Sequence, residues 1–324
     1  MADLEKNILV VIPVNEDHKK FLEEKAASGD KNCCIRYVSG EEVTKEDAEQ
    51  ADVIIGNVDP SLLSGAKNLE LLQLNSAGAD LYIKAGVMPE GAVLANATGA
   101  YGLAVSEHML GLTFDLIRRL NQYHANQAEH VWKAMGNIIS VEGSTILVLG
   151  LGDIGGDYAR KVHALGAHVI GVRRTNRNKP DYLDEQHTMD DLDMLLGRAD
   201  IVAMVLPGGS ATNHIMDERR LRLMKKGAYL INVGRGNALD QAALAEALNT
   251  DHIAGAALDV VDPEPLPEND PLWDTKHLIL TPHISGNLTL GYTCDRNVEL
   301  FCEDLANYAA GRPLSHLVDR KRGY

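Results

Sequence analysis

The 324-residue sequence predicts an α/β protein made of two doubly wound parallel-sheet domains. Three observations predict it. Short β-branched runs alternate with longer helical patterns along the whole chain. At roughly 100–200 residues per domain, the length fits two domains. One strand-like run leads directly into a glycine loop, and a helical pattern follows it.

The first third reads as one small α/β unit. Residues 7–13 (NILVVIP) form a buried-strand run, and 35–38, 53–56, 71–75 and 93–96 are further strands. Thr44 and Asp47 make a capping box that opens a short helix. Residues 103–127 lack proline and carry Met109, Leu112, Leu116 and Leu120 at helical spacing, so one long helix is expected. The second unit alternates strands at 145–149, 168–172, 201–205, 229–233, 253–258 and 278–281 with helices. Two of these helices, 217–224 and 240–248, start with Asp at the N-cap position. After the sixth strand no further strand follows, and a last helix at about 288–310 returns to the first domain. The expected division is therefore 1–99 with 290–324 for one discontinuous domain and 100–289 for the inserted one.

Composition narrows the function. Hydrophobic residues make up 45% and charged residues 24%, ordinary for a globular chain. The net charge of −15 argues against a nucleic-acid or anionic-membrane partner, either of which needs a clustered basic surface. The short basic cluster of note is Arg173-Arg174 with Arg177 and Lys179, and Arg320 to Arg322 read as a solvated tail. Cys33, Cys34, Cys294 and Cys302 show no C-x-x-C or zinc spacing. With no signal-like start and no membrane-length apolar run, a reduced, cytoplasmic, metal-free protein is expected.

The glycine loop is Gly150-Leu151-Gly152-Asp153-Ile154-Gly155. Its context, strand before and helix after, makes it a dinucleotide cradle. Gly150 permits the tight turn, Gly152 lets a pyrophosphate approach the backbone, and Gly155 lets helix and strand pack closely. The N–H groups at the helix start, around Asp153 and Ile154, hold the anion. An acid about 20 positions on normally takes the ribose 2′-hydroxyl of NAD. Here the window holds Arg173, Arg174 and Thr175, with Arg173 23 positions after Gly150. Guanidinium groups bind a 2′-phosphate, so NADP(H) is preferred and NAD(H) remains open.

Three further segments follow expected strands, where ligands of open α/β sheets bind. Arg235 lies between Gly234 and Gly236, glycines that leave its side chain room, and its fork suits a carboxylate. Glu264 sits in the proline-bracketed run Asp262 to Pro267, which lowers the entropy lost in fixing it. His283 follows the sixth strand, and only histidine has an unperturbed pKa near neutrality. Taken singly, each also reads as a structural residue.

Together, GLGDIG (150–155), NVGRG (232–236), ALDVVDPEPLP (257–267) and TPHISG (281–286) resemble the D-isomer-specific 2-hydroxyacid dehydrogenase family. LNSAGAD (74–80) and NATGAYGLAVSEHMLGL (96–112) match it too, so the resemblance spans nearly the whole chain. It implies a Rossmann dinucleotide domain inserted into a smaller flavodoxin-like substrate domain, and a homodimer. It implies that Arg235 grips the substrate carboxylate and that His283 is the acid/base. Glu264 would orient His283 and favour its charged form. Asp259 would contact the nicotinamide carboxamide. Backbone N–H groups of Ser76, Ala77 and Gly78 would bind the carboxylate from the other domain. Two departures stand out: the arginines at 173 and 174, and the glycine-rich loop Pro207-Gly208-Gly209 expected near the adenosine half. The expected activity is hydride transfer to a small anionic 2-ketoacid, of the glyoxylate/hydroxypyruvate reductase type. The alternative is a dinucleotide-sensing corepressor-like binding protein without physiological turnover. A phosphoglycerate dehydrogenase is disfavoured, with no room after about residue 315 for a regulatory domain. Glu264 disfavours a formate dehydrogenase, a branch that looks to use an amide there.

Overall fold

The computed structural model describes residues 5–175 and 178–320. Residues 1–4, Arg177, Lys321 and Arg322, invoked above, lie outside them. In chain order the main elements are β1 (Lys6–Val10), α1 (Glu16–Ala26), β2 (Cys33–Tyr37), α2 (Lys45–Gln50), β3 (Val53–Ile55), β4 (Leu71–Gln73) and β5 (Val93–Ala95). Then come α3 (Gly102–Arg118), α4 (Leu120–Ala128), β6 (Thr145–Leu149), α5 (Asp153–Ala164), β7 (His168–Val172) and β8 (Glu185–His187). The rest are α6 (Leu192–Leu196), β9 (Ile201–Met204), α7 (Glu218–Leu223), β10 (Tyr229–Asn232), α8 (Gln241–Asn249), β11 (Gly255–Leu258), β12 (Leu278–Leu280) and α9 (Gly291–Ala309). They fall into two compact units, Met1–Tyr101 with Leu288–Tyr324, and Gly102–Asn287.

The first unit holds a sheet of order β2-β1-β3-β4-β5, parallel throughout. This is the flavodoxin-like order. Both faces are covered, which is why its strands read as continuous apolar runs. Leu9, Ile54, Leu72 and Leu94 point to one face, with Leu63 and Leu69. Ile8, Val10, Val53, Ile55 and Leu71 point to the other, against Leu22 of α1 and Val298, Phe301 and Leu305 of α9. The α2 start is capped as expected, the Thr44 and Asp47 side chains each bonding the other's backbone N–H.

The second unit holds a seven-stranded parallel sheet, β12-β11-β10-β9-β6-β7-β8. Strand order reverses direction between β6 and β9, the switch point of a Rossmann sheet. Leu147, Ile170, Val202, Leu230 and Leu258 line one core with residues of α6, α7 and α8. α3 packs along α5, where Thr113 and the fully buried Tyr158 share a 2.8 Å hydroxyl pair. Asp217 and Asp240 cap α7 and α8 through the N–H groups of Arg220 and Ala243.

Two expectations fail for identifiable reasons. The 103–127 helix is broken at Arg119, whose φ is +58°. The Asp115 carboxylate takes the Asn121 N–H at 2.6 Å, a donor that an unbroken helix would direct at the Ile117 carbonyl. Arg119 Nε donates instead to the Asn137 carbonyl at 3.0 Å. The sheet also has the unexpected β8, Glu-Gln-His, an edge strand with no apolar residue to betray it.

Phe301 is fully buried between the first sheet and α9. Phe301→Ala is expected to cost about 3–5 kcal/mol, read as a lower denaturant midpoint. A loss under about 1 kcal/mol would remove α9 from that core.

Candidate active site

The functional side chains hang from the carboxyl edge of the second unit's sheet. Along that edge stand His283 after β12, Asp259 and Glu264 after β11, and Arg235 after β10. Pro207 follows β9, the glycine loop follows β6, and Arg173 follows β7.

The glycine loop fits a dinucleotide. A Cβ on Gly155 would stand 1.9 Å from the Gly150 carbonyl oxygen, and one on Gly150, 2.5 Å from that of Val205. Both positions therefore require glycine. A Cβ on Gly152 would meet nothing within 4 Å, so the space above the α5 N-terminus is open. No side chain caps that helix. Its first-turn amides, with the helix dipole, form a ready anion site. The Asp153 carboxylate lies against Gly102 at the start of α3, leaving the anion to the loop backbone. Arg173 is half-buried, and its backbone N–H is held by the His187 carbonyl at 3.1 Å. Its guanidinium has no ion-pair partner among the described residues. Arg174, Thr175 and Pro207 are exposed.

The loop carrying Arg235 is interlocked with its neighbours. A Cβ on Gly234 would stand 2.6 Å from the Leu206 carbonyl oxygen, and one on Gly236, 2.1 Å from the Val261 carbonyl. These glycines admit the adjoining loops, a stronger demand than room for the arginine. The buried Asn232 amide braces the turn, accepting from the Gly234 N–H (3.1 Å) and donating to the Arg235 carbonyl (2.9 Å). One Arg235 Nη donates to the Gly234 carbonyl at 2.8 Å.

His283 and Glu264 form the central pair. Nδ1 of His283 lies 2.8 Å from Oε2 of Glu264, while Oε1 accepts the Val261 N–H at 3.1 Å. A carboxylate only accepts, so Nδ1 donates. Nε2 has no partner among the described residues and is the nitrogen left for chemistry. Gln241 pins the proline-bracketed loop by a reciprocal pair with the backbone of Asp262, at 2.7 and 2.9 Å.

His283 has φ +52°, a left-handed conformation that costs a non-glycine residue of order 1–2 kcal/mol. Asp259 holds it there. This carboxylate is 1% exposed and accepts from Thr281 Oγ1 (2.6 Å), the Ile284 N–H (3.0 Å) and the Ser285 N–H (3.1 Å). The Asp259 carbonyl takes the His283 N–H at 2.8 Å. Burial pushes its pKa up, but the bonds from Ser285, Thr281 and Ile284 outweigh that and leave it lowered. Asp259, expected at the nicotinamide carboxamide, has its carboxylate buried beneath the 281–286 turn. His108 on α3 was not singled out from sequence, yet its Nε2 lies 3.2 Å from Thr281 Oγ1 in the same cluster.

Ser76, Ala77 and Gly78 belong to the other unit, just after β4. Every carbonyl from Asn75 to Gly78 is occupied. Asn75 O accepts from the Tyr101 hydroxyl, Ser76 O from the Ala97 N–H (3.0 Å), Ala77 O from Asn96 Nδ2 (2.7 Å), and Gly78 O from Ser76 Oγ (2.7 Å). The N–H groups of Ser76, Ala77 and Gly78 have no acceptor among the described residues. Three free N–H groups on a fixed loop make an anion-binding concavity.

These features define an α/β protein with a dinucleotide cradle and a carboxylate-paired histidine on one sheet edge. The chain belongs to the D-isomer-specific 2-hydroxyacid dehydrogenases, a family of NAD(P)-dependent oxidoreductases. Residues 110–285 match the profile of "D-isomer specific 2-hydroxyacid dehydrogenase, NAD binding domain". The chain is similar to a glyoxylate reductase of Thermofilum pendens, 32% identical over 239 residues, 72% of this chain and 70% of that one. Among solved structures it is similar to a D-isomer specific 2-hydroxyacid dehydrogenase family protein from Aeromonas salmonicida. The TM-score is 0.83 and the identity 29%, covering 97% of this chain and 99% of that one. It is also similar to a D-isomer specific 2-hydroxyacid dehydrogenase from Xanthobacter autotrophicus in complex with NADPH and MES. There the TM-score is 0.80 and the identity 26%, covering 98% and 99%. No group of three or more His, Cys, Asp or Glu among the described residues could hold a metal ion.

Asp259→Asn would set an amide N–H₂ against backbone donors. It is expected to destabilise the protein by about 1–3 kcal/mol, measured by denaturant melt. Because the folded pKa is lowered, the stability Asp259 contributes is full above the ordinary aspartate pKa. It is lost as pH falls through the lowered value. The wild-type advantage over Asp259→Asn should therefore shrink in acid; a constant difference would contradict the buried-anion reading.

Proposed function

We propose that the protein is an NADP(H)-preferring reductase of small 2-ketoacids, of the glyoxylate/hydroxypyruvate reductase type, forming D-2-hydroxyacids. The 2.8 Å pair between His283 and Glu264 carries this reading. It stands on the sheet edge that also bears the glycine cradle and Arg235.

When bound, the nicotinamide supplies the hydride that reaches the keto carbon. His283 Nε2 gives its proton to the keto oxygen and, in the reverse direction, takes it back. Glu264 keeps Nδ1 in its donor role and steadies the imidazolium. Arg235 holds the substrate carboxylate and opposes the negative charge that grows on the oxygen. The loop amides of Ser76, Ala77 and Gly78 are a second carboxylate contact in this proposal. Gly150, Gly152, Asp153, Ile154 and Gly155 would hold the pyrophosphate through backbone N–H groups. Arg173, Arg174 and Thr175 would take the 2′-phosphate, and Pro207 the adenosine side. Arg173, half-buried and without an ion-pair partner among the described residues, supports NADP(H), as does the NADPH in the Xanthobacter relative. Asp259 acts from below, through the turn it holds. In domain terms, 1–99 with 290–324 serves the substrate and 100–289 the dinucleotide.

We also propose a cytoplasmic homodimer. No helix among the described residues is long and apolar enough to cross a membrane. Leu120, Tyr123, Val131, Trp132 and Ile138 are exposed on and after α4, an apolar surface of the kind that pairs. Light scattering should give twice the chain mass, and Trp132→Glu should lower it; a wild-type monomer would end this part of the proposal.

The main test is oxidation of NADPH and NADH with glyoxylate, hydroxypyruvate, pyruvate and bulkier 2-ketoacids. NADPH turnover with the small ketoacids is expected. No turnover with any of them would defeat the reductase reading, and equal use of both cofactors would defeat the role of Arg173. Arg173→Asp should weaken NADPH binding by about tenfold or more while sparing NADH. His283→Ala should abolish turnover with cofactor binding retained; surviving activity would remove His283 from its role.

A further inference from the structure

We propose that Tyr101, backed by Asn297 of α9, is a positioning residue that keeps the amides of Ser76, Ala77 and Gly78 aimed at the substrate carboxylate. This rests on the proposed carboxylate role of that loop.

A peptide group turns as a plane, so fixing a carbonyl fixes the direction of the N–H that follows it. The Tyr101 hydroxyl bonds the Asn75 carbonyl, which shares its peptide plane with the Ser76 N–H. The Ala97 N–H and Asn96 Nδ2 do the same for the Ala77 and Gly78 amides. Asn57 and Asn75 exchange backbone-to-side-chain bonds at 2.6 and 3.1 Å and anchor the loop's entry. Of these restraints, Tyr101 reaches furthest, 26 residues along the chain, and its side chain is 5% exposed.

Asn297 explains what steadies Tyr101. It is fully buried on α9, one turn from Phe301, where an apolar residue would pack. Its Oδ1 has no partner among the described residues, and its Nδ2 donates to the Thr293 carbonyl at 2.9 Å. Its amide also stands close enough to the Tyr101 hydroxyl to oppose the burial that pushes that hydroxyl's pKa up. A half-satisfied buried amide costs stability, so packing alone does not account for it. Gln73, at the end of β4 below the loop, adds a bond from Nε2 to the Asn96 carbonyl at 3.2 Å. Asn96 thereby stays placed to grip Ala77.

Tyr101→Phe removes only the hydroxyl. Oxalate, a small dicarboxylate that cannot be reduced like a ketoacid, probes the anion site on the NADPH-bound protein by calorimetry. The expected result is an oxalate dissociation constant and a KM for hydroxypyruvate each raised about tenfold, the scale of one lost hydrogen bond. The kcat and NADPH affinity should change less than about twofold. In the ligand-free protein, amide hydrogen exchange of segment 74–80 should accelerate. Asn297→Leu, which packs in place of the amide, should move all three readouts in the same direction by a smaller factor. Unchanged oxalate affinity in Tyr101→Phe overturns the proposal. So does weaker oxalate binding with unchanged exchange at 74–80, because the hydroxyl would then be touching the ligand itself. Oxalate binding needs no turnover. A wild-type protein that binds oxalate but reduces no 2-ketoacid overturns the proposed function and leaves this test readable; one that binds no oxalate overturns both.

Discussion

The carboxylate of Asp259 organises the catalytic edge. A charge with 1% exposure must be surrounded by donors, because water cannot reach it. Those donors come from Thr281, Ile284 and Ser285, so the chain after β12 has to curl over the carboxylate. His283 sits in the middle of that curl and takes its left-handed backbone from it. Glu264 reaches the imidazole from the other side of the same strand end. The position of the histidine is thus set by a buried anion one residue past the end of the neighbouring strand β11, rather than by the packing of its own ring.

The backbone is used in two opposite ways. Around Asp259, N–H groups are gathered inward onto a fixed charge. In the 75–78 loop, the carbonyls are gathered inward and the N–H groups are left over. The glycine loop follows the second plan by other means, since α5 begins without a capping side chain. In each case the binding capacity is what remains after every competing partner has been supplied.

Much of this could be read from the chain. The strand-to-glycine-to-helix run at 145–164 carries its meaning in local pattern, and Arg235, Glu264 and His283 each follow a recognisable apolar run. What could not be read depends on distance in sequence or on missing contrast. β8 is three polar residues on a sheet edge, so hydrophobic periodicity has nothing to report. The break at Arg119 involves neither glycine nor proline; there the Asp115 carboxylate, four residues earlier, takes the Asn121 N–H. The burial of the Asp259 carboxylate leaves no local sign, because its three donors lie 22 to 26 residues further on. The glycines beside Arg235 looked like room for a side chain, whereas they admit backbone from Leu206 and Val261.

The discontinuity of the first unit bears on how the chain is made. Its sheet is complete once residue 95 has emerged, but one face still lacks Val298, Phe301 and Leu305. During synthesis, Ile8, Val10, Val53 and Ile55 must wait about 200 residues for their cover, at ~5–20 residues per second. The second unit, Gly102–Asn287, is contiguous and can fold in that interval. The half-dressed first sheet is therefore the nascent chain's sticky surface. Arrival of α9 both ends that exposure and brings in Asn297, the residue that steadies Tyr101.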